Sequence, residues 1–132
     1  MNVVFADTAF YLALLNADDE LHPRAAELAA TLGASMVTTA WILTEVLDAL
    51  SQPEFRSMAV GFIEALSLDP KVTIMPATQE LFDRGFDLFK RRPDKGWSLT
   101  DCISFAVMQE QGISDSLSAD HHFEQAGFRV LL

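Results

Sequence analysis

The sequence has a single cysteine and no long apolar run, which exclude an internal disulfide and a membrane-spanning helix. Cys102 has no second cysteine to pair with, so no internal disulfide holds the fold. No apolar stretch approaches the roughly 18 residues of a membrane span. The segment from Met1 to Asp7 lacks the basic start and long apolar run of a signal peptide. We therefore expect a cytoplasmic protein that does not cross a membrane.

Cations are also scarce, because nine Lys and Arg residues face nineteen Asp and Glu residues, for a formal net charge of −10. Composition alone therefore argues against a nucleic-acid substrate, since such proteins usually present a basic face to phosphates. The objection weakens if several carboxylates bind divalent cations, which reverse the local charge. Four of the cations cluster at Lys90, Arg91, Arg92 and Lys95. The acidity elsewhere suits a basic or amphipathic protein partner.

Apolar residues are plentiful, and their spacing predicts one α/β domain over residues 1–132. Half of the residues are apolar and ten are Phe, enough for one substantial core. Short apolar runs alternate with helical patterns, which favours a mostly parallel, buried sheet. In the helix expected from Thr78 to Arg91, we expect Leu81, Phe82, Phe86, Leu88 and Phe89 to face mostly inward. The expected strands are 3–6, 36–39, 72–75, 116–119 and 128–132, and the expected helices are 8–16, 23–32, 40–50, 54–68, 78–91, 98–111 and 120–126.

Four acids are expected near positions where a strand ends and a helix begins. In parallel α/β sheets these positions lie at the carboxyl edge, where ligands bind. Asp7 and Asp120 follow the first and fourth strands, whereas Glu45 and Asp101 lie in the early turns of helices. Each also has a structural interpretation. Asp7 and Asp120 suit helix N-caps, Asp101 suits a capping box with Ser98, and Glu45 suits a solvated helix face.

Taken together, the four acids favour a metal site. Glu45 is expected on a mainly buried helix, where a carboxylate is costly without a partner. Carboxylates that converge in one cleft repel one another unless a cation lies among them. Mg²⁺ or Mn²⁺ is the expected ion, since both prefer oxygen ligands and Mg²⁺ binds phosphates. Such a site activates water for phosphoryl chemistry and needs no nucleophilic side chain.

Competing sites are weaker. His121 and His122 are adjacent, so on a helix their side chains point about 100° apart and are not expected to share a zinc ion. Cys102 lies on an apolar helix and is expected in the core. Trp97 is expected to pack, with stacking on a base as the alternative. The sequence has no glycine-rich phosphate loop.

Four segments in order resemble the PIN-domain family, and within it the VapC-type toxins of toxin–antitoxin pairs. They cover the whole length of the chain and carry one acid each. The segments are Phe-Ala-Asp-Thr at 5–8, Thr-Glu-Val-Leu at 44–47, Trp-Ser-Leu-Thr-Asp-Cys-Ile-Ser at 97–104 and Leu-Ser-Ala-Asp-His-His-Phe at 117–123.

The resemblance implies a three-layer α/β/α fold with a five-stranded parallel sheet. It also implies a metal-dependent endoribonuclease toxin that cleaves RNA with metal-activated water, a homodimer and a small antitoxin partner. Asp7, Glu45, Asp101 and Asp120 inherit the catalytic and metal-binding role. Thr8 and Ser118 match positions of small hydroxyl residues that could hydrogen-bond to the metal ligands or to metal-bound water. The alternative for both is a structural role, as a helix cap or a hydrogen bond at the end of a strand.

Two alternatives stay open. One is a non-catalytic PIN-fold module that binds RNA or protein. The other is a phosphate-monoester hydrolase that works through a phosphorylated Asp. Such enzymes usually carry D-x-D after the first strand, and Asp7-Thr8-Ala9 lacks the second Asp.

Overall fold

A computed structural model describes residues 3–132; Met1 and Asn2, which begin the segment tested for a signal peptide, lie outside the described residues. Strands and helices alternate, as the sequence predicts. The strands are β1 (Val3–Ala6), β2 (Ser35–Thr39), β3 (Val72–Met75), β4 (Asp115–Leu117) and β5 (Arg129–Val130). The helices are α1 (Thr8–Leu15), α2 (His22–Thr31), α3 (Ala40–Ala49), α4 (Pro53–Leu68), α5 (Gln79–Arg91), α6 (Leu99–Gln111) and α7 (His121–Gln125).

The five strands form one all-parallel sheet in the order β3-β2-β1-β4-β5. The chain passes from β1 through β2 to β3 in one direction across the sheet and then returns to add β4 and β5 on the other side of β1. Because parallel crossovers are right-handed, this reversal places the later helices on the opposite face of the sheet. The first four helices therefore cover one face and the last three the other. Packing agrees, because α1 contacts α2 and α3, whereas α6 contacts α5 and α7. The predicted three-layer α/β/α fold is confirmed.

The core lies on both faces of β1, whose residues Val4, Phe5 and Ala6 are fully buried. On the α5–α6 side the two helices approach so closely that a Cβ at Gly85 would lie 2.2 Å from the Ile103 side chain. This approach fixes the start of α6 against the sheet. Within residues 3–132, none of the helices is both long and apolar enough to span a bilayer.

Two details of the sequence prediction were wrong. β4 ends at Leu117, so Asp120 lies three residues beyond the strand, because the Ser118 hydroxyl accepts the Asp120 N–H at 3.1 Å and starts a turn. Phe86 and Phe89 do not face inward and are 42% and 46% exposed. The face of α5 that packs on the core carries Leu81 and Leu88, as expected, together with Gly85, and Phe86 and Phe89 lie beside that face.

Candidate metal centre

All four predicted acids line one cleft of about 400 Å³ at the carboxyl end of β1. β1, α3, α6 and the turn before α7 each contribute one of them. The cleft has no Lys or Arg among its lining residues within the described part of the chain. Its residues are Asp7, Thr8, Ala9, Leu12, Glu45, Gly96, Ser98, Asp101, Asp120 and His122.

Asp7 is the buried member of the set, with 7% of its surface exposed. It precedes α1 at the N-cap position, but its side chain makes no capping hydrogen bond. Its Oδ2 instead accepts the Ser118 hydroxyl at 2.8 Å. Burial raises the pKa of Asp7 from 3.8 to about 6, against the lowering effect of hydrogen bonds from Ser118 and the Thr8 backbone; repulsion from Asp101 and Glu45 adds to the rise.

Glu45 is exposed, so the expectation that burial on α3 makes its carboxylate costly was wrong. The apolar side chains of α3 that reach the core are Ile42, Leu43 and Val46, and Glu45 lies beside that stripe. A hydrogen bond holds it at the cleft: the Thr8 hydroxyl donates to Glu45 Oε1 at 2.5 Å.

Asp101 and Asp120 serve as helix caps and line the cleft as well. Asp101 Oδ2 accepts the Ser98 backbone N–H at 3.1 Å while the Ser98 hydroxyl accepts the Asp101 N–H, which completes a capping box. Asp120 Oδ1 accepts the His122 backbone N–H at 2.9 Å. The structural interpretation therefore holds for both, without excluding a role in the cleft.

One oxygen of each carboxylate accepts a hydrogen bond, from Ser118, Thr8 or a backbone N–H, and the other accepts no side-chain hydrogen bond from residues 3–132. Capping and orientation thus leave one free oxygen on each of four acids that line a cleft without a Lys or Arg side chain among the described residues. Hard oxygen donors in a negatively charged cleft that is open to water are what Mg²⁺ and Mn²⁺ prefer. The residues present therefore fit such an ion.

Comparison with known proteins identifies the family. The PIN domain family model matches residues 4–129. The chain belongs to the PIN-domain family. The resemblance seen in the four sequence segments is confirmed.

Curated relatives of this PIN domain include the 23S rRNA-specific endonuclease VapC20 from two strains of Mycobacterium tuberculosis. Each is 31% identical over 126 residues, which cover 96% of this chain and 95% of the relative. A crystal structure of Mycobacterium tuberculosis VapC20, described as a toxin that cleaves the sarcin–ricin loop, superposes with a TM-score of 0.85. It is 30% identical and covers 95% of both chains.

The cleft of this PIN domain also contains His122, which the sequence analysis did not place there. Its Nδ1 lies 3.1 Å from Asp101 Oδ2 and 3.4 Å from Asp120 Oδ1. The sequence offered one signal, the position of His122 two residues after a candidate ligand at the start of a helix. The rings of His121 and His122 are 4.5 Å apart, and one ligand atom from each lies within 4.8 Å of an Asp120 oxygen. The two rings are therefore close enough for one ligand atom of each to lie near the same Asp120 oxygen, which the expected divergence of about 100° did not anticipate.

Cys102 and Trp97 are packing residues of the PIN domain. Cys102 is fully buried, and burial raises the pKa of its thiol, which disfavours the nucleophilic thiolate. Trp97 is 6% exposed. Its ring packs edge-on against Phe105 at 5.1 Å, and Arg92 lies over the ring. Trp97 is therefore a packing residue, as expected, because a side chain with 6% of its surface exposed has little area on which a base could stack.

Local acids pair with two of the four cations in the basic cluster that precedes α6. Arg91 pairs with Asp87 at 2.9 Å and Arg92 pairs with Asp94 at 3.0 Å. Lys95 forms no ion pair with any residue from 3 to 132. It directly precedes Gly96, which lines the cleft.

Proposed function

We propose that this chain is a divalent-metal-dependent endoribonuclease and the toxin of a toxin–antitoxin pair. The observation that carries the proposal is the cleft, in which a PIN domain gathers four carboxylates from separate elements without a lining Lys or Arg among its described residues. Asp7, Glu45, Asp101 and Asp120 would hold Mg²⁺ or Mn²⁺ through their free oxygens.

The bound ion would offset negative charge on the scissile phosphate and lower the pKa of a water molecule. The protein's part is to position these groups. Ser118 fixes Asp7, and Thr8 fixes Glu45, so the carboxylates do not have to reorganise during the reaction. The cleft-lining residues include no cysteine, and its one serine, Ser98, is engaged in the capping box. We propose that water activated by the ion attacks the phosphodiester in place of the RNA's own 2′-hydroxyl, which would leave 5′-phosphate and 3′-hydroxyl ends.

The related toxin VapC20 is described as specific for 23S rRNA and as cleaving the sarcin–ricin loop. We propose structured ribosomal RNA as the substrate class of this chain, with that loop as the first sequence to test. The purified chain is mixed with a hairpin RNA of this sequence and with total ribosomal RNA, in Mg²⁺, in Mn²⁺ or in a chelator. We expect metal-dependent cleavage with 5′-phosphate ends. Chelator-resistant cleavage, or 2′,3′-cyclic phosphate ends, would contradict the mechanism.

A groove beside the cleft supports the proposed antitoxin partner. It has a volume of about 570 Å³ and continues from the cleft through Leu12, which lines both. Phe55 and Met58 give it apolar, exposed side chains, and Asp18 and Asp19 line its rim. A basic amphipathic helix matches both the apolar floor and the acidic rim. We propose that the antitoxin contributes such a helix.

The resemblance to VapC-type toxins further supports a homodimer that acts in the cytoplasm, where its RNA substrate lies. Light scattering of the purified chain tests the homodimer, and a mass that stays at one chain across micromolar concentrations would contradict it.

A further inference from the structure

His122 is a cleft residue whose imidazole bridges two of the candidate metal ligands. Its side chain is 22% exposed, and it lies between Asp101 on α6 and Asp120 before α7. The distance from Nδ1 to Asp101 Oδ2 is 3.1 Å, within hydrogen-bond range. An ionised carboxylate only accepts hydrogen bonds, so Nδ1 must carry the proton that joins them.

The imidazole approaches oxygens that are already engaged. Asp101 Oδ2 also accepts the Ser98 backbone N–H, and Asp120 Oδ1 also accepts the His122 backbone N–H. The remaining oxygen of each carboxylate accepts no side-chain hydrogen bond within the described part of the chain. The imidazole therefore holds Asp101 through an oxygen that is already engaged and lies 3.4 Å from the engaged oxygen of Asp120, which leaves the second oxygen of each carboxylate open.

This contact completes a pattern in which donors reach candidate ligands from other elements. The Thr8 hydroxyl on α1 donates to Glu45 on α3, and the Ser118 hydroxyl after β4 donates to Asp7 after β1. His122 on α7 does the same for Asp101 on α6. Without it, the Asp101 carboxylate would keep only the backbone N–H of Ser98, three residues away in sequence.

We propose that His122 is a positioning residue that holds Asp101 in place beside Asp120 for a shared divalent cation. The proposal rests on the proposed metal-dependent function. Donors that orient ligands from outside the coordination sphere typically change metal affinity or activity by about 10–100-fold when removed. A neighbour of the same type provides a control for the Asp101 contact. The His121 side chain is 71% exposed and does not line the cleft, and its Nδ1 lies 3.5 Å from Asp120 Oδ1 but makes no hydrogen bond with Asp101.

The test is a titration of the full chain with Mn²⁺, in which electron paramagnetic resonance measures the concentration of free ion and so gives the binding affinity. We expect His122→Ala to weaken Mn²⁺ binding about 10–100-fold. His122→Asn should recover most of this loss, because its amide nitrogen can donate from near the Nδ1 position. His121→Ala should stay within about twofold of wild type. Thermal unfolding without metal shows whether each variant is folded, and the Asn variant carries the test if the Ala variant is not.

Two results would overturn the inference alone. One is Mn²⁺ affinity unchanged in His122→Ala when Asp7→Asn abolishes binding. The other is a strong nitrogen hyperfine coupling to Mn²⁺ in wild type that His122→Ala removes, since this would make the imidazole a direct ligand. A wild-type chain that binds no Mn²⁺ would instead overturn the proposed function, and this inference with it.

Discussion

The cleft and the neighbouring groove share Leu12 but are built differently. In the cleft, hydroxyl, backbone and imidazole donors hold the functional side chains in place. In the groove, Phe55 and Met58 are each 42% exposed. The cleft holds one oxygen of each carboxylate in place and leaves the other open, whereas the groove leaves apolar area in water.

This difference indicates what each surface binds. Preorganised carboxylates cost nothing to arrange when an ion and a phosphate arrive, so the cleft suits chemistry. Apolar area gains about 25 cal/mol per Å² when it is covered, so the groove gains free energy only from a partner. Changes in the cleft should therefore alter cleavage and metal binding, whereas changes in the groove should alter partner binding alone.

The largest expected effect is that of Asp7→Asn on cleavage. The substitution keeps the shape of the side chain and its hydrogen bond from Ser118 but removes the charge that a cation needs. We expect cleavage of the target RNA to fall by at least about 100-fold, comparable to the loss of one preorganised electrostatic group. RNA binding should change little. Single-turnover cleavage and a filter-binding assay measure the two effects separately.

Two variants serve as controls for Asp7→Asn. His121→Ala changes an exposed ring outside the cleft, and Cys102→Ala changes a buried thiol that the mechanism does not use. Both should retain activity when folded. Full activity in Asp7→Asn would contradict a role of Asp7 in holding the catalytic ion. Loss of activity in folded Cys102→Ala would contradict a mechanism that does not use the thiol.

The second expected effect is on stability without metal. Burial raises the pKa of Asp7 from 3.8 to about 6, so the folded state prefers the protonated acid. The contribution of Asp7 to stability is fully present below about pH 4 and is lost as the pH rises to about 6. Asp7→Asn removes this penalty. With a chelator present at pH 7, it should be more stable than wild type by up to about 3 kcal/mol.

Urea unfolding between pH 4 and pH 7.5 checks this effect, and the advantage of Asp7→Asn should shrink as the pH falls. Because metal binding needs the ionised carboxylate, Mn²⁺ affinity of the wild type should also fall below about pH 6. An Asp7→Asn variant that is less stable than wild type at pH 7 would mean that the Asp7 carboxylate stabilises the metal-free fold.

The third expected effect concerns the groove. Met58→Lys places a cation where a basic amphipathic helix should dock, and we expect it to weaken antitoxin binding by about 2 kcal/mol, roughly 30-fold. Val60→Lys is the matched control, since Val60 is exposed on the same helix but does not line the groove. RNA cleavage should be unchanged in both variants. Equal antitoxin affinities for the two would place the partner elsewhere.

The sequence predicted most of the fold because the elements have clear local signals. The apolar run of β1, the capping box at Ser98 and the left-handed Gly112 after α6 are determined by neighbouring residues. Errors arose where tertiary contacts decide. The outward turn of Phe86 follows from the face of α5 that packs on α6, and no local pattern shows which face that is.

The same limit applies to the candidate site. The four acids could be grouped from the sequence, since parallel strands bring their carboxyl ends to one edge. The donors that orient them could not be paired with them, because Ser118 and Asp7 are 111 residues apart and join only across the finished sheet. His122 was missed for the same reason, since its contact with Asp101 depends on how α7 packs beside α6.

The smallest expected effect is that of Lys95→Ala on RNA binding, and it tests whether the cleft extends to the basic cluster. Lys95 has no ion pair within residues 3–132, and the next residue lines the cleft, so its charge is available to a phosphate. One lost phosphate contact lowers the slope of log affinity against log salt by about 0.9, so the loss of affinity between 50 and 200 mM salt shrinks roughly threefold. Lys71→Ala is the control, because Lys71 precedes β3 and lies at the amino edge of the sheet, opposite the cleft. Identical salt slopes for the two variants would show that the RNA does not pass over the α5–α6 loop.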